Sequence, residues 1–206
     1  MKSLIDGLDK MIANPVTELD YQDDFTLLIS IMLSAQTTDK KVNDISPELF
    51  ENYPNPDSIK EEDYEKIESI IRPLGLSKTK ANNIIKIASL IKEQFGGKIP
   101  STYEDLIKLP GIGNKTAKVF LVEFYKQNYF PVDTHVKRVA TRLGKVNEKD
   151  SPEVVEKKMS QFFKNIDLAK RHQQFVLHGR YTCVARKPKC EQCSLTSLCK
   201  YYKESV

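Results

Sequence analysis

The four cysteines of this chain are confined to its last 24 residues. They follow the spacing C-x6-C-x2-C-x5-C, and no cysteine occurs in the preceding 182 residues. A disulfide framework would be distributed through a small secreted domain, so thiols clustered in this way indicate one metal site. Four thiolates suit either a tetrahedral structural zinc ion or a cubane iron–sulfur cluster. The predicted ligands are Cys183, Cys190, Cys193 and Cys199.

The length and the N-terminal sequence limit the class of protein. A chain of 206 residues is long enough for one sizeable domain or two small ones. Asp6 and Asp9 lie where a signal peptide would need an apolar stretch, and the longest nearly apolar run, Leu27 to Leu33, is too short to span a bilayer. We therefore expect a soluble cytoplasmic protein in a reducing compartment, without a membrane partner.

The charges are segregated along the chain, although the net charge is only +4. Residues 44–68 include nine acidic residues and only two lysines, whereas residues 108–145 include eight basic residues and only two acidic ones. The cysteine segment, 180–200, has five basic residues against Glu191. A polyanion would be attracted to the second half of the chain. Solvated helix faces explain the same pattern, so charge alone is weak evidence for nucleic-acid binding.

The apolar spacing is helical along almost the whole chain, and no segment alternates as a strand of useful length. The run from Phe25 to Leu33 predicts a buried helix, although its β-branched residues would also permit a strand. A capping box at Ser101 and Glu104 predicts a short helix. Together the predicted helices span 25–33, 80–95 with a stop at Gly96-Gly97, 101–109, 114–126, 134–143, a helix starting at Ser151, and 167–181. The fold class is therefore all-α.

A glycine-rich turn joins two of these helices in the segment LPGIGNKTA at 109–117. Pro110 cannot continue the first helix, and Gly111 and Gly113 allow backbone conformations that other residues avoid. Ile112 can anchor the turn to the core. Such a turn leaves backbone N–H groups free at the start of the next helix, where they can bind a phosphate. An ordinary corner between two helices is the alternative interpretation.

Two charged residues follow this turn. Lys115 lies in the first turn of the next helix, where a cation faces the positive end of the helix dipole, so its presence needs a reason. Contact with a phosphate is one reason, and a nucleophilic amine is the other. Asp133, in PVDTH at 131–135, is placed to cap a helix N-terminus, a role worth about 1 kcal/mol. An acid beside an amine could also accept a proton or stabilise a developing positive charge.

Five segments resemble bacterial endonuclease III, in the same order and at similar intervals. They are LSAQTTD at 33–39, LPGIGNKTA at 109–117, VDTH at 132–135, LHGRYTC at 177–183, and the cysteine spacing. The resemblance implies two helical lobes with DNA bound in the cleft between them. One is a helical barrel at 17–127 that carries a helix-hairpin-helix element at about 101–126. The other combines 1–16 with 128–206 and holds a [4Fe–4S] cluster on the four cysteines.

The resemblance also implies an activity. The protein is expected to be a base-excision-repair DNA glycosylase with abasic-site lyase activity, a monomer that associates with the nucleoid. Its partner would be double-stranded DNA containing damaged pyrimidines or abasic sites. Lys115 would attack the sugar C1′ of the extruded nucleotide as the oxidised pyrimidine leaves, with Asp133 as its acidic partner. The resulting Schiff base would then allow strand cleavage by β-elimination.

The same resemblance implies that further residues contact DNA. Gln36 would fill the hole left by the flipped base, and Leu76 would wedge into the opposite strand. A surface glutamine and a loop-anchoring leucine are the alternatives. The hairpin and the loop between the first two cysteines would contact the backbone through Gly111, Ile112, Gly113, Arg186, Lys187 and Lys189. One position departs from the family, because the residue before the lysine, often basic there, is Asn114.

Three other functions compete with this interpretation. An adenine-mismatch glycosylase shares both lobes and the cluster but usually lacks the lysine at position 115 and has a long C-terminal domain. A thymine-mismatch glycosylase of the same superfamily is conceivable, although Lys115 argues for lyase activity. A non-catalytic DNA-binding module with a structural zinc ion belongs to a different class. The histidines carry little weight: His172 and His178 are interpreted as surface or packing residues, and His135 as a residue that could orient the cleft.

Overall fold

The computed structural model describes residues 1–205, and within that range all regular secondary structure is helical, without a β-strand. The predicted all-α class is therefore confirmed. None of these helices is long and apolar enough to cross a membrane. The α-helices are α1 (Lys2–Met11), α2 (Asp24–Leu33), α3 (Asp39–Asn52), α4 (Tyr64–Ile71), α5 (Ser77–Phe95), α6 (Tyr103–Leu106), α7 (Asn114–Glu123), α8 (Thr134–Arg142), α9 (Pro152–Phe162), α10 (Leu168–Tyr181) and α11 (Lys200–Ser205).

The chain divides into two compact units. One is the continuous segment Thr17–Tyr125, and the other combines Met1–Val16 with the chain from Lys126 onward. Short 3₁₀ turns connect several of the helices in both units. They lie at Pro56–Ser58, Glu61–Asp63, Arg72–Leu74, Cys190–Gln192 and Thr196–Leu198.

The central helix of the continuous unit is α2. All nine residues from Phe25 to Leu33 are buried, so this helix is surrounded by other elements on every side. Its start is fixed by a reciprocal cap: the Asp23 carboxylate accepts a hydrogen bond from the backbone N–H of Thr26 at 2.8 Å, and the Thr26 hydroxyl accepts one from the Asp23 N–H at 3.0 Å. This cap satisfies donors that only a helix start leaves free. The predicted helix is confirmed, and the strand alternative is wrong.

The longest helix, α5, packs against α4. Ile84, Ile87, Ala88 and Ile91 are buried on one face. The helix begins at Ser77, three residues before the predicted start, and ends at Phe95 as predicted. Gly96 and Gly97 have φ of 58° and 79°, and the Gly97 N–H donates to the carbonyl of Ile91 at 3.0 Å. Glycine adopts these angles without strain, which makes the pair a helix stop.

The second unit has a core to which both ends of the chain contribute. The rings of Phe130, Phe163 and Phe175 are mutually packed, with centroids 5.5 to 5.9 Å apart. Leu4 and Leu8 from α1 join this cluster. The N-terminal helix is thus part of a core that otherwise comes from α8, α9, α10 and segments outside them, including Phe130 and Leu195.

A polar network ties α1 to α10 at the edge of that core. Asp9 Oδ1 accepts hydrogen bonds from Arg171 Nη1 at 2.8 Å and from Gln174 Nε2 at 2.9 Å, and Lys170 Nζ lies 3.1 Å away. Burial raises the pKa of Asp9, but the hydrogen bonds from Arg171, Gln174 and Lys170 outweigh it and lower the pKa to about 2.

The capping box predicted at Ser101 and Glu104 is wrong by one residue. Thr102 is the N-cap of α6, and its hydroxyl accepts from the backbone N–H of Asp105 at 3.3 Å while donating to the Asp105 carboxylate at 2.8 Å. Both Ser101 and Thr102 have an acid three residues later, so the local pattern fits two registers. The helix is also shorter than predicted, since α6 ends at Leu106.

The remaining predicted helices are present with boundaries that shift by a few residues. Helix α7 ends at Glu123 rather than 126, and α8 ends at Arg142 rather than 143. Ser151 caps α9 as predicted, with its hydroxyl accepting from the N–H of Val154 at 3.4 Å. Helix α10 begins at Leu168 behind the cap of Asp167 and ends at Tyr181. Two α10 histidines, His172 and His178, are buried, so the packing interpretation is confirmed and the surface one is wrong.

Candidate functional site

The glycine-rich turn between α6 and α7 is built as the sequence predicts. Gly111 has φ of 79°, and a Cβ at this position would collide with the side-chain amide of Asn83 on α5. Ile112 is 4% exposed, which anchors the turn in the core. Gly113 is the N-cap of α7, provides no side-chain cap, and has open space where a Cβ would project. The first turn of α7 therefore presents backbone N–H groups toward an uncrowded surface.

Lys115 is the second residue of α7 and is exposed. Ala117, two residues later, is fully buried, so the helix backbone behind the lysine is fixed against the core of the Thr17–Tyr125 unit. The side chain thus extends from a rigid helix start next to the glycine-rich turn. This is a position from which an amine can contact a phosphate or attack an electrophilic carbon.

Asp133 is the N-cap of α8 in the other unit, as predicted. Its Oδ1 accepts a hydrogen bond from the backbone N–H of Val136 at 2.7 Å, and the residue is half-buried. The apolar side chains that follow on α8, Val136, Val139 and Ala140, are buried in the core of their unit. The carboxylate is therefore held in one orientation by both the cap and the packing of its helix.

Gln36 and Leu76, the two residues predicted to enter DNA, share an unusual backbone conformation. Gln36 has φ of 60° in the turn after α2, and Leu76 has φ of 52° immediately before α5. Both side chains are exposed, Leu76 to 55%. A positive φ costs a non-glycine residue free energy and is concentrated at functional sites. Both residues belong to the Thr17–Tyr125 unit.

The basic loop between the first two cysteines is exposed and also contains a strained residue. Arg186, Lys187 and Lys189 all reach solvent, and Lys187 has φ of 53°. The loop is closed at its base, because the N–H of Lys189 donates to the carbonyl of Thr182 at 2.9 Å. Three cations on a closed loop form a local positive surface.

The four cysteines line one pocket in the second unit. All four are half-buried and none is in a disulfide. Apolar side chains complete the wall, including Val139, Leu143 and Leu195. No group of three or more His, Cys, Asp or Glu side chains in residues 1–205 is arranged to hold a single metal ion.

The surroundings of the thiols fit a group that binds thiolates. Burial raises the pKa of Cys193, and the neighbouring cysteine thiols raise it further. Donors nevertheless point at the sulfurs: the Leu195 N–H donates to Cys193 Sγ at 3.4 Å, and Arg142 Nη1 to Cys183 Sγ at 3.3 Å. Thiolates brought together in this apolar pocket need a cationic partner, which an iron–sulfur cluster supplies. The donor set therefore fits such a cluster.

Family models match both parts of this chain. Residues 29–165 match the HhH-GPD superfamily base excision DNA repair protein family, and residues 183–199 match the iron–sulfur binding domain of endonuclease III. The endonuclease III of Rickettsia felis is 42% identical over 193 residues, which cover 94% of this chain and 90% of that protein. The chain belongs to the endonuclease III family. It is accordingly a DNA glycosylase and abasic-site lyase of base-excision repair, with an iron–sulfur binding domain at residues 183–199.

Other relatives agree with this assignment. The Bacillus subtilis endonuclease III is 37% identical and aligns with 95% of this chain and 90% of its own length. A solved structure of a trapped endonuclease III–DNA covalent intermediate is 35% identical, with a TM-score of 0.91 over 99% of this chain and 96% of that one. A thermostable thymine-DNA glycosylase has a TM-score of 0.87 over 98% and 96% of the two chains, but at 21% identity it shows only the common fold.

Membership of the endonuclease III family bears on all three competing interpretations. The iron–sulfur match at 183–199 contradicts the structural-zinc module. The Rickettsia felis and Bacillus subtilis relatives are both endonuclease III proteins rather than mismatch glycosylases. The predicted family and enzyme class are therefore confirmed.

Two arginines on α8 support the cysteine loop, and sequence reasoning missed both. Arg138 donates to the carbonyls of Cys183 at 3.0 Å and Gly179 at 2.7 Å. Arg142 donates to the carbonyls of Val184 at 2.8 Å and Ala185 at 2.9 Å. Their spacing of four residues puts them on one face of the helix without an acidic partner on α8, and that was the available signal.

Proposed function

We propose that this protein removes oxidised pyrimidines from double-stranded DNA and then cleaves the strand, with Lys115 as the nucleophile and Asp133 as its acidic partner. The observation that carries the proposal is the exposed Lys115 amine at the uncapped start of α7, directly behind the Gly111–Gly113 turn. The solved relative with a trapped endonuclease III–DNA covalent intermediate supports it, since a covalent adduct requires a protein nucleophile.

The chemistry follows from a neutral amine at Lys115. Its lone pair forms a bond to the sugar C1′ while the glycosidic C1′–N bond breaks, and the bond's electron pair leaves with the base, which takes up a proton. The attached nitrogen loses a proton and its lone pair forms the C1′=N bond, while the ring C1′–O4′ bond breaks and O4′ takes its electron pair and a proton, which gives a Schiff base. Loss of a proton from C2′ then expels the 3′ phosphate, and water hydrolyses the imine to return the amine.

In this reaction Asp133 acts as a carboxylate whose orientation is fixed. Its Oδ1 is committed to the Val136 N–H, whereas a carboxylate has further acceptor capacity on both oxygens. We infer that this remaining capacity accepts a proton or stabilises positive charge that develops on the sugar. The cap and the catalytic role are compatible, because a cap also restricts the orientation of the side chain.

The DNA contacts follow from exposed parts of the chain. The open N–H groups behind Gly113 would bind one strand without reading its sequence, and the basic loop of Arg186, Lys187 and Lys189 would contact phosphates. Gln36 and Leu76 would enter the stack where the damaged nucleotide leaves it. Since one chain contains all of these parts, we propose that it acts as a monomer at the nucleoid.

The iron–sulfur group at Cys183, Cys190, Cys193 and Cys199 is proposed to be of the [4Fe–4S] type, which four thiolates accommodate. It would supply structural cross-linking rather than bond-making chemistry. The four cysteines would thereby hold the basic loop and the C-terminal segment against α8.

The test is borohydride trapping on a duplex that contains one thymine glycol, with native protein and Lys115→Ala. Native protein is expected to give a covalent adduct and strand cleavage. Lys115→Ala is expected to give neither while still binding DNA. Lys118→Ala is the matched control, because Lys118 lies on the same helix, packed over the Tyr103 ring at 5.6 Å, and should still give the adduct.

Two other outcomes of this experiment would contradict parts of the proposal. Base release without an adduct would mean that the protein is a monofunctional glycosylase. Weaker DNA binding by Lys115→Ala, with an adduct still formed, would mean that Lys115 is a phosphate contact and that another amine is the nucleophile.

A further inference from the structure

Lys80 is a buried lysine without a buried acid to match it. It lies on the first turns of α5, is 4% exposed, and has no carboxylate partner within residues 1–205. Its Nζ donates to two backbone carbonyls, that of Leu33 at 2.9 Å and that of Leu74 at 3.2 Å. Burial lowers the pKa of Lys80. A buried ammonium of this kind costs stability, so its presence calls for an explanation other than core filling.

The two carbonyls lie where two different loops begin. Leu33 is the last residue of α2, three residues before Gln36. Leu74 ends the 3₁₀ turn Arg72–Leu74, two residues before Leu76. One ammonium thus connects the bases of the two loops that carry the exposed, positive-φ side chains.

We propose that Lys80 is a positioning residue that fixes the Gln36 loop and the Leu76 loop relative to each other, so that both side chains enter the DNA together. This inference rests on the proposed DNA-inserting roles of Gln36 and Leu76. Lys80 itself is buried, so it would act through these two residues rather than touch DNA. All of the residues involved lie in the Thr17–Tyr125 unit.

The electrostatics of the site explain how the charge is tolerated. The carbonyl of Leu33 is at the C-terminal, negative end of α2, where a cation is stabilised. Helix-end carbonyls also lack partners within their own helix, so the lysine satisfies acceptors that would otherwise be buried and unpaired. Two hydrogen bonds and the dipole of α2 therefore stabilise the charge of Lys80 where the two loops begin.

The Leu76 loop is also held from its other side. The buried carboxylate of Glu68 accepts hydrogen bonds from the hydroxyl of Ser77 at 2.6 Å and from Arg72 Nη2 at 2.6 Å. Ser77 directly follows Leu76 and begins α5. With Glu68 on one side and Lys80 on the other, the strained conformation of Leu76 is overdetermined by its surroundings, which is what allows strain to persist.

The test uses a duplex with a tetrahydrofuran abasic analogue and 2-aminopurine opposite it. This analogue cannot react, and 2-aminopurine fluorescence rises when a side chain unstacks the base. At full occupancy, Lys80→Met is expected to reduce the fluorescence rise seen with native protein, although methionine keeps the length of the side chain.

On a reactive abasic duplex, we expect the single-turnover rate of Lys80→Met to fall about tenfold, equivalent to 1.4 kcal/mol. On the same abasic strand without its complement, native and variant rates should agree, because there is no opposite strand to enter.

Lys92→Met is the matched control. Lys92 is on the same helix and donates to one backbone carbonyl, that of Ile59, at 2.9 Å, which belongs to neither loop. It should leave both the fluorescence rise and the ratio of duplex to single-strand rates unchanged. In a Gln36→Ala Leu76→Ala background, Lys80→Met should have little additional effect, since residues that act through one another are not additive.

The inference is overturned if Lys80→Met gives the native fluorescence rise, or if it slows the duplex and the single strand equally, as a general structural defect would. Lys80→Gln covers the case in which Lys80→Met does not fold, because the amide keeps one donor and should show a smaller defect in the same readout. The proposed function is tested separately: if native protein gives the fluorescence rise but no trapped adduct, the lyase proposal fails while the positioning role stands.

Discussion

At the residue scale, Asp133 combines a structural role that is visible with a chemical role that is proposed. Asparagine caps a helix as well as aspartate does, so Asp133→Asn separates the two roles. We expect the variant to keep its melting temperature and its hydrogen bond to Val136. We expect turnover to fall by at least about 10²-fold, because general acid–base and electrostatic contributions are of that order. Single-turnover kinetics on a damaged duplex, together with thermal unfolding, measures both.

Asp167→Asn is the control for this prediction. Asp167 caps α10 in the same unit, with Oδ1 accepting from the N–H of Lys170 at 2.9 Å, but it has no proposed role in the chemistry. Its turnover should equal that of the native protein. If Asp133→Asn leaves turnover intact, capping is the whole function of Asp133.

Single residues could be predicted from sequence where the signal is local. The caps at Asp133 and Ser151 and the stop at Gly96 depend on a few neighbouring residues, and the structure contains all three. Lys80 could not be predicted in the same way. Its acceptor at Leu33 is 47 residues distant in sequence, and a lysine near the start of a helix gives no sign that it is buried.

At the scale of the element, the turn before α7 contains two glycines with different requirements. Gly113 has ordinary backbone angles and open space around it, so Gly113→Ala should cost at most about 1 kcal/mol of stability. The added methyl group would however occupy the approach of a phosphate to the free N–H groups. We therefore expect the affinity for DNA to fall about tenfold, a loss of 1.4 kcal/mol. Fluorescence anisotropy on an uncleavable duplex measures it.

Gly111→Ala is the matched variant within the same turn. Its φ of 79° and the nearby Asn83 side chain make alanine strained, so we expect a loss of about 1–2 kcal/mol in stability. Thermal unfolding should thus distinguish the two variants. Equal DNA affinity of Gly113→Ala and native protein would show that the turn does not bind phosphate.

The sequence did not predict the side-chain contacts between elements. The helical periodicity predicted α5, α7, α8 and α10 because each buries one face, and the continuous apolar run predicted α2. It did not predict that Arg138 and Arg142 donate to carbonyls more than 40 residues later. Such contacts depend on how helices pack rather than on any local pattern. The one-residue error at Ser101 has the opposite cause, since the local pattern there fits two registers.

At the scale of the whole molecule, the network of Asp9 explains how the N-terminus is retained in a unit built mainly from the C-terminal half. Asp9→Asn removes the charge that Arg171 and Lys170 neutralise. We expect α1 to open more often than in the native protein while the core around Phe130 is unchanged. Hydrogen exchange of the α1 amides at neutral pH measures this.

The same network has a defined pH dependence. Because the folded pKa of Asp9 is about 2 and its ordinary value is 3.8, the carboxylate contributes stability that is fully present above about pH 5. That contribution is lost as the pH falls through the folded pKa. The difference between native protein and Asp9→Asn should therefore be constant from neutral pH to about pH 5. Equal α1 exchange in the two proteins at neutral pH would contradict the proposed role of the network.

The central claim is that one lysine forms the covalent intermediate, and peptide mapping of the borohydride-reduced adduct tests it most directly. Native protein is trapped on a thymine glycol duplex, digested with protease and nuclease, and the residue that carries the reduced sugar is located by mass spectrometry. The account predicts the modification on Lys115. Modification of the N-terminal amine or of another lysine would contradict it.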